Sequence, residues 1–412
     1  MEKTLQRNII RIYLMVFFQS AMIITAVIVP LLQRHGLSMA QILQTQALFA
    51  AMVAACEVPS GYLADLWGRK NTIVLGAVIC LAAFAWLTQA DSFIDYLLFE
   101  FLVGIGISLN SGADLALVYD TQNALNECSS QYHGDSGKHV SRLTTIEGIG
   151  GAIAAIFASV FIQWSLDAIL WAQLTISLMA LLCAIRLTEA PRKIVLGSHR
   201  ENASQLHREV VDDPLILWIA AAIVALSLSA LFSFWLYQKY WELQNIPVTW
   251  FGYVWATHCI FRSISAHYAS AVEQMLGPRK LILLIACLPI VGFLGMGLFG
   301  GGLGLALCLA FPISRGLSLV VFYQAFNKRL STEFRATVNS LVSLGIRGIF
   351  IVTGPLLGFL VDFQGVQFSL LVLAAIFIPI YAVVLLPLSG KIKQQQKAKV
   401  EEAQLVSNQA IS

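Results

Sequence analysis

Apolar residues run along this chain in long unbroken blocks, not in the alternation of a half-buried strand or the narrow stripe of a soluble helix. Twelve blocks reach the length, about 20 residues, at which a helix crosses the hydrocarbon core of a bilayer. They lie at 9–32, 39–62, 71–90, 93–119, 143–163, 166–187, 214–238, 249–272, 281–300, 303–326, 337–361 and 366–388. In lipid, only helices and closed barrels satisfy their own backbone, and these blocks are too long and too continuously apolar for barrel strands. The pattern therefore predicts an all-α membrane protein with 12 transmembrane helices. The first block, Ile9 to Leu32, exceeds the apolar core of a signal peptide and is expected to be a retained span.

The polar interruptions organise these blocks. The longest, Leu187 to Asp213, has Pro191 and Pro214 near its edges and divides the spans six and six. It predicts an N-terminal six-helix bundle at 1–187, a cytoplasmic central linker at 188–213, a C-terminal six-helix bundle at 214–388 and a Lys- and Gln-rich cytoplasmic tail at 389–412. The halves also echo each other. Gly68-Arg69-Lys70 follows the second span and Gly277-Pro278-Arg279-Lys280 follows the eighth. Gly112, Tyr119 and Asn123 recur at the same spacings as Gly316, Tyr323 and Asn327. Matches at nearly one offset point to a duplicated six-helix unit, so the fold is expected to be two pseudo-symmetric repeats.

Charge placement sets the orientation. With both termini cytoplasmic, 21 of the 26 Lys and Arg residues fall in inside segments. Only Arg34 and Lys239 fall outside, and Arg262, Arg315 and Arg347 lie within spans. That asymmetry is the positive-inside pattern. Composition agrees: 58% apolar and 12% charged residues cannot cover a water-facing surface. A net charge of +3 gives no reason to expect nucleic acid as a partner. Seven cysteines show no CxxC or Cys/His spacing, so neither disulfides nor a metal are expected. No GxxxxGK[ST] loop occurs, so nothing suggests ATP hydrolysis. No cofactor and no enzymatic activity are expected. The triplet Asn202-Ala203-Ser204 falls on the cytoplasmic side and reads as chance.

Between the second and third spans stands Gly61-Tyr62-Leu63-Ala64-Asp65-Leu66-Trp67-Gly68-Arg69-Lys70. This run resembles the signature loop of the major facilitator superfamily, G-x-L-A-D-x-x-G-R-K, with every fixed position present. The resemblance implies a secondary transporter of the inner (plasma) membrane, working by alternating access as a monomer, with a small-molecule substrate, protons and the lipid bilayer as partners. It also implies that the loop latches the cytoplasmic side. Gly61 and Gly68 would let helix ends approach and turn, and Asp65, Arg69 and Lys70 would supply the charge, with Asp120 at the end of the fourth span joining Arg69. The second copy has Gln274 where an acid would stand. Two other positions depart from the drug-exporter pattern. Glu100-Phe101-Leu102-Val103-Gly104-Ile105-Gly106 carries an acid where exporters carry Arg, and Glu147-Gly148-Ile149-Gly150-Gly151 lacks their Pro.

Charges inside spans are costly and mark function or pairing. Acids populate the first half (Glu57, Glu100, Asp114, Glu147) and arginines the second (Arg262, Arg315, Arg347). At about 100° per residue, Glu100, Gly104, Ser111 and Asp114 share one face of a continuous fourth helix. Glu100 and Asp114 are the candidate proton-coupling groups. Helices 1, 4, 7 and 10 line the cavity in the family, which brings Ser111 and Arg315 to the substrate. It also brings Glu57 to Arg347 and Glu147 to Arg262 as pairs between the halves; purely structural ion pairing is the other reading. Arg315 must meet an anion, and a substrate with an anionic or strongly accepting group is one expectation. His258 and His267 read as proton relay or as packing, and the aromatic cluster from Trp235 to Trp255 as an interfacial belt. The leading expectation is proton-coupled export of a drug, siderophore or metabolite. Uptake by a symporter or facilitator, and a non-transporting membrane sensor or scaffold, remain open.

Overall fold

A computed structural model describes residues 2–128, 136–191, 213–331 and 334–409. Most of the 188–213 linker, including Asn202-Ala203-Ser204, lies outside the described residues. Among the described residues all regular structure is helical. The protein is an all-α membrane protein, with ten stretches long and apolar enough to cross a bilayer. Two of these, Val248–Leu298 and Thr337–Ile392, are 51 and 56 residues long, far beyond one crossing. Each contains a glycine in the left-handed region, Gly277 (φ 72°) and Gly365 (φ 81°), where the helical path stops and restarts. Divided there, each makes two segments, so the 12-helix architecture expected from the apolar blocks is recovered.

Two compact units are present. The first contains α1 (Glu2–Ser20), a 3-10 turn (Ile23–Val27), α2 (Ile28–Arg34), α3 (Met39–Trp67), α4 (Arg69–Leu87), α5 (Phe93–Asn110), α6 (Ala113–Cys128), α7 (Ser136–Phe161) and α8 (Leu166–Ile185). Local chemistry starts these helices where it should. Ser38 and Gln41 form a capping box at α3, as do Ser92 and Asp95 at α5, and Ser165 caps α8. Between α3 and α4 the chain turns at Gly68 (φ 109°), a conformation that side chains resist. Both carboxylate oxygens of Glu189 then accept from the first amides of α4, Arg69 N at 2.9 Å and Lys70 N at 2.7 Å.

Two segments from later in the chain also belong to this unit, Trp241–Cys259 and Arg347–Phe363. They come from α10 (Phe251–Leu298), with the residues just before it, and from α13 (Arg335–Gln409). A Cβ on Gly252 would stand 1.9 Å from the carbonyl oxygen of Ala155, and one on Gly358 would stand 2.5 Å from Cα of Ala40. Contacts this close are the means by which helices associate in lipid, where burial of apolar surface supplies little drive. Asp362 completes the α13 contact. Its two oxygens accept from Met39 N (2.9 Å) and Ala40 N (2.8 Å), the first amides of α3. The second unit holds α9 (Pro214–Leu243) as far as Tyr240, the remainder of α10, α11 (Gly301–Cys308), α12 (Ala310–Arg329) and the rest of α13.

Candidate substrate cavity

Two helices of the first unit break partway through their spans. The 33-residue stretch Glu2–Arg34 leaves helical geometry at Ala21–Met22, and the 36-residue stretch Phe93–Cys128 does so at Ser111–Gly112. At the first, a short polar side chain competes for a backbone acceptor. Ser20 Oγ and Ala21 N both donate to Phe17 O at 3.0 Å. Ser111 N donates to Ile107 O at 2.8 Å, and Gly112 adopts φ 83°. Irregular backbone at membrane depth is tolerated only inside protein or beside a cavity.

Such a cavity is present. It has a volume of about 390 Å³ and is lined on its polar side by Gln19, Ser20, Asn110, Ser111, Asp114, Glu147, Gln173 and Ser177. Asp114 sits in the first turn of α6, and Leu115 N donates to its Oδ1 at 2.6 Å. Glu147, on α7, lies within electrostatic range of Asp114. Asn110 is 9% exposed and its Oδ1 is buried without a hydrogen-bond partner among the described residues; Gln19 Nε2 is likewise unpartnered.

The expected stripe on the fourth span is divided. Glu100 is buried, accepts from Gln46 Nε2 of α3, and is absent from the cavity lining. Gly104 faces α3 too, since a Cβ there would stand 2.8 Å from Met52. Ser111 and Asp114 face the cavity. Ile107, two turns beyond Glu100 in unbroken α5, already lines the cavity, so the two acids differ in their depth along the span.

The signature loop is laid out as follows. Arg69 Nη1 meets Asp120 Oδ2 at 2.7 Å. Asp65 stands exposed on the last turn of α3, and Lys70 gives its amide to Glu189. No atom lies within 4 Å of a Cβ built on Gly61, so the close approach expected there is absent. Glu57 and Arg347 make no ion pair within 4 Å, although Arg347 feels the Glu57 charge and its Nε is buried without a partner among the described residues. Glu147 belongs to the first unit and Arg262 to the second. Arg315, in the second unit, donates to Ser227 Oγ at 2.9 Å, and no described carboxylate pairs with it. His258 packs between aromatic rings, 5.6 Å from Trp241 and 6.1 Å from Trp255.

Sequence reasoning passed over Gln19, Gln46, Asn110 and Gln173. Their signal was available, because an amide inside an apolar block is itself unusual. Glu189 and Asp362 carried no such signal, since each is a carboxylate at a span edge whose partner lies far off in the chain.

A bundle of membrane-crossing helices, two of them broken around a polar cavity, defines a membrane transporter. The chain belongs to the major facilitator superfamily, whose family model matches residues 9–345. No curated protein matches it. Solved structures share the fold at low identity. The nucleoside transporter NupG superposes with a TM-score of 0.71 at 13% identity, covering 93% of this chain and 98% of that one. A bacterial homolog of the human lysosomal transporter Spinster, inward-facing and unoccupied, gives 0.73 at 16%, covering 94% and 97%. A D-xylose-proton symporter gives 0.66 at 12%, covering 92% and 95%.

Proposed function

We propose that this secondary transporter sits in the inner membrane and exports a small organic molecule in exchange for protons, by alternating access. The observation that carries the reading is the acid-lined cavity at two mid-span helix breaks. A carboxyl in such a place is expensive to keep without use. Asp114 is the first choice for the proton carrier, because it faces open space that a substrate and water can share. Glu100 is the second, held by Gln46 behind the cavity wall. The loop from Gly61 to Lys70, with Asp120, acts as the cytoplasmic latch. Asp362 on the α3 N-terminus has the form of its counterpart at the other end of that helix. Arg347, with Glu57 in range but unbonded, has the character of a pair that closes in another stage of the cycle.

The test is transport in inside-out vesicles loaded with a pH dye, across a panel of drugs, siderophores and metabolites. Asp114→Asn should abolish gradient-driven accumulation and leave downhill exchange intact. Full accumulation in both Asp114→Asn and Glu100→Gln would refute the assignment. Accumulation in right-side-out vesicles instead, driven by an inward proton gradient, would establish uptake by symport.

A further inference from the structure

We infer that the cavity of the first unit accepts a small organic ammonium ion. The inference rests on the transport reading above and adds the chemistry of the cargo. Three features of the lining favour a cation.

The first is formal charge. Asp114 and Glu147 contribute carboxyl groups, and among the described residues no Lys, Arg or His lines the cavity. The other titratable group on its wall is the Cys80 thiol of α4.

The second is the backbone. Both broken helices end at the cavity, α1 through Gln19 and Ser20, α5 through Asn110 and Ser111. A helix C-terminus carries roughly half a negative charge, so two of them add to the field of the carboxylates. One positive helix end nearby, the start of α6, is already met by Asp114 through the Leu115 amide at 2.6 Å.

The third is the apolar share of the wall. Phe18, Phe84 and Val103 line it as well, and aromatic faces favour organic cations. A space of about 390 Å³ is far larger than a bare sodium ion needs and falls in the range of small-ligand pockets. Exchange then balances without further parts: one ammonium enters as one proton leaves a carboxyl for the same aqueous phase, and after access switches the ammonium leaves to the opposite phase as the carboxyl takes up a proton from it. Arg315, the sequence-based reason for an anionic cargo, is instead held by Ser227 and contributes nothing to this lining.

Calorimetry on the full chain in lipid nanodiscs tests the inference without assuming any direction of transport. The probes are benzylamine hydrochloride, tetraethylammonium chloride, sodium chloride and sodium benzoate. At least one ammonium should bind, with affinity lowered tenfold or more by Asp114→Asn and by Glu147→Gln. Its binding heat should vary with the ionisation heat of the buffer, because protons are released. Two variants at separate elements guard against one misfolding, and size-exclusion profiles report which have folded. Failure of both ammonium probes overturns the inference, as does unchanged affinity in both folded variants. Saturable benzoate binding that is lost in Arg315→Ala, or sodium binding in place of ammonium, also overturns it. Ammonium binding without proton-driven accumulation would keep the cation site and remove the coupling. Accumulation of another solute without ammonium binding would keep the transporter and remove the cation site.

Discussion

The contacts that most constrain this protein are made by single atoms. Arg69 and Asp120 meet at 2.7 Å with side chains 18% and 15% exposed, so water screens them only in part. Ion pairs contribute roughly 0–1 kcal/mol where exposed, and more where burial limits screening. Asp120→Asn is expected to destabilise the first unit by about 1–2 kcal/mol, read from thermal unfolding in micelles. The charge-swapped double variant Arg69→Asp with Asp120→Arg should recover part of that loss; no recovery would mean the pair is not coupled. Gly252 poses a steric question instead. A side chain there would collide with the Ala155 carbonyl and with Ser159, and a backbone oxygen cannot rotate away. Gly252→Val should therefore cost more than about 1–3 kcal/mol, the usual range for overpacking. The same unfolding assay checks it, with Gly148→Val, where nothing lies within 4 Å of the added Cβ, as the comparison.

At the scale of elements, the breaks matter more than the helices. Gly112 has φ 83° and open space around its missing Cβ, so substitution there meets backbone strain alone. Left-handed geometry costs an L-residue roughly 1–2 kcal/mol, and asparagine less. Gly112→Ala should thus lower stability by about 1 kcal/mol and Gly112→Asn by less; equal losses would show that volume and not φ is limiting. The first turn of α3 offers a second test. Its amides at Met39 and Ala40 donate to Asp362, and removal of a capping acceptor costs about 0.5–2 kcal/mol. Asp362→Ala should speed hydrogen exchange at those two amides several-fold while leaving exchange in the middle of α3 unchanged.

At the scale of the whole molecule, the claim most open to a direct check is topology. Cys128 is exposed at the end of α6, on the side that the Lys and Arg distribution assigns to the cytoplasm. A membrane-impermeant maleimide should label it in inside-out vesicles and not in intact cells; the reverse result would invert the whole arrangement. That expectation rests on the sequence alone. So do the twelve apolar segments, including the divisions at Gly277 and Gly365. Residence in lipid is decided by length and composition, which any stretch carries by itself. The signature run from Gly61 to Lys70 was legible for a related reason, because its residues are contiguous. The cavity was legible only in part. Ser111 and Asp114, named from the sequence, line the cavity, whereas Glu100, which shares their helical phase, lies against Gln46 further along the span. Whether a helix breaks at Asn110-Ser111-Gly112 depends on neighbours that can satisfy or shelter the freed backbone, and only the assembled bundle supplies them. Asp362 is the plainest case. Its partners stand more than 300 residues earlier in the chain, and nothing local distinguishes a carboxylate that caps a distant helix from one that faces water. Periodicity and composition are local properties that the sequence determined; which groups meet across the bundle was decided by packing.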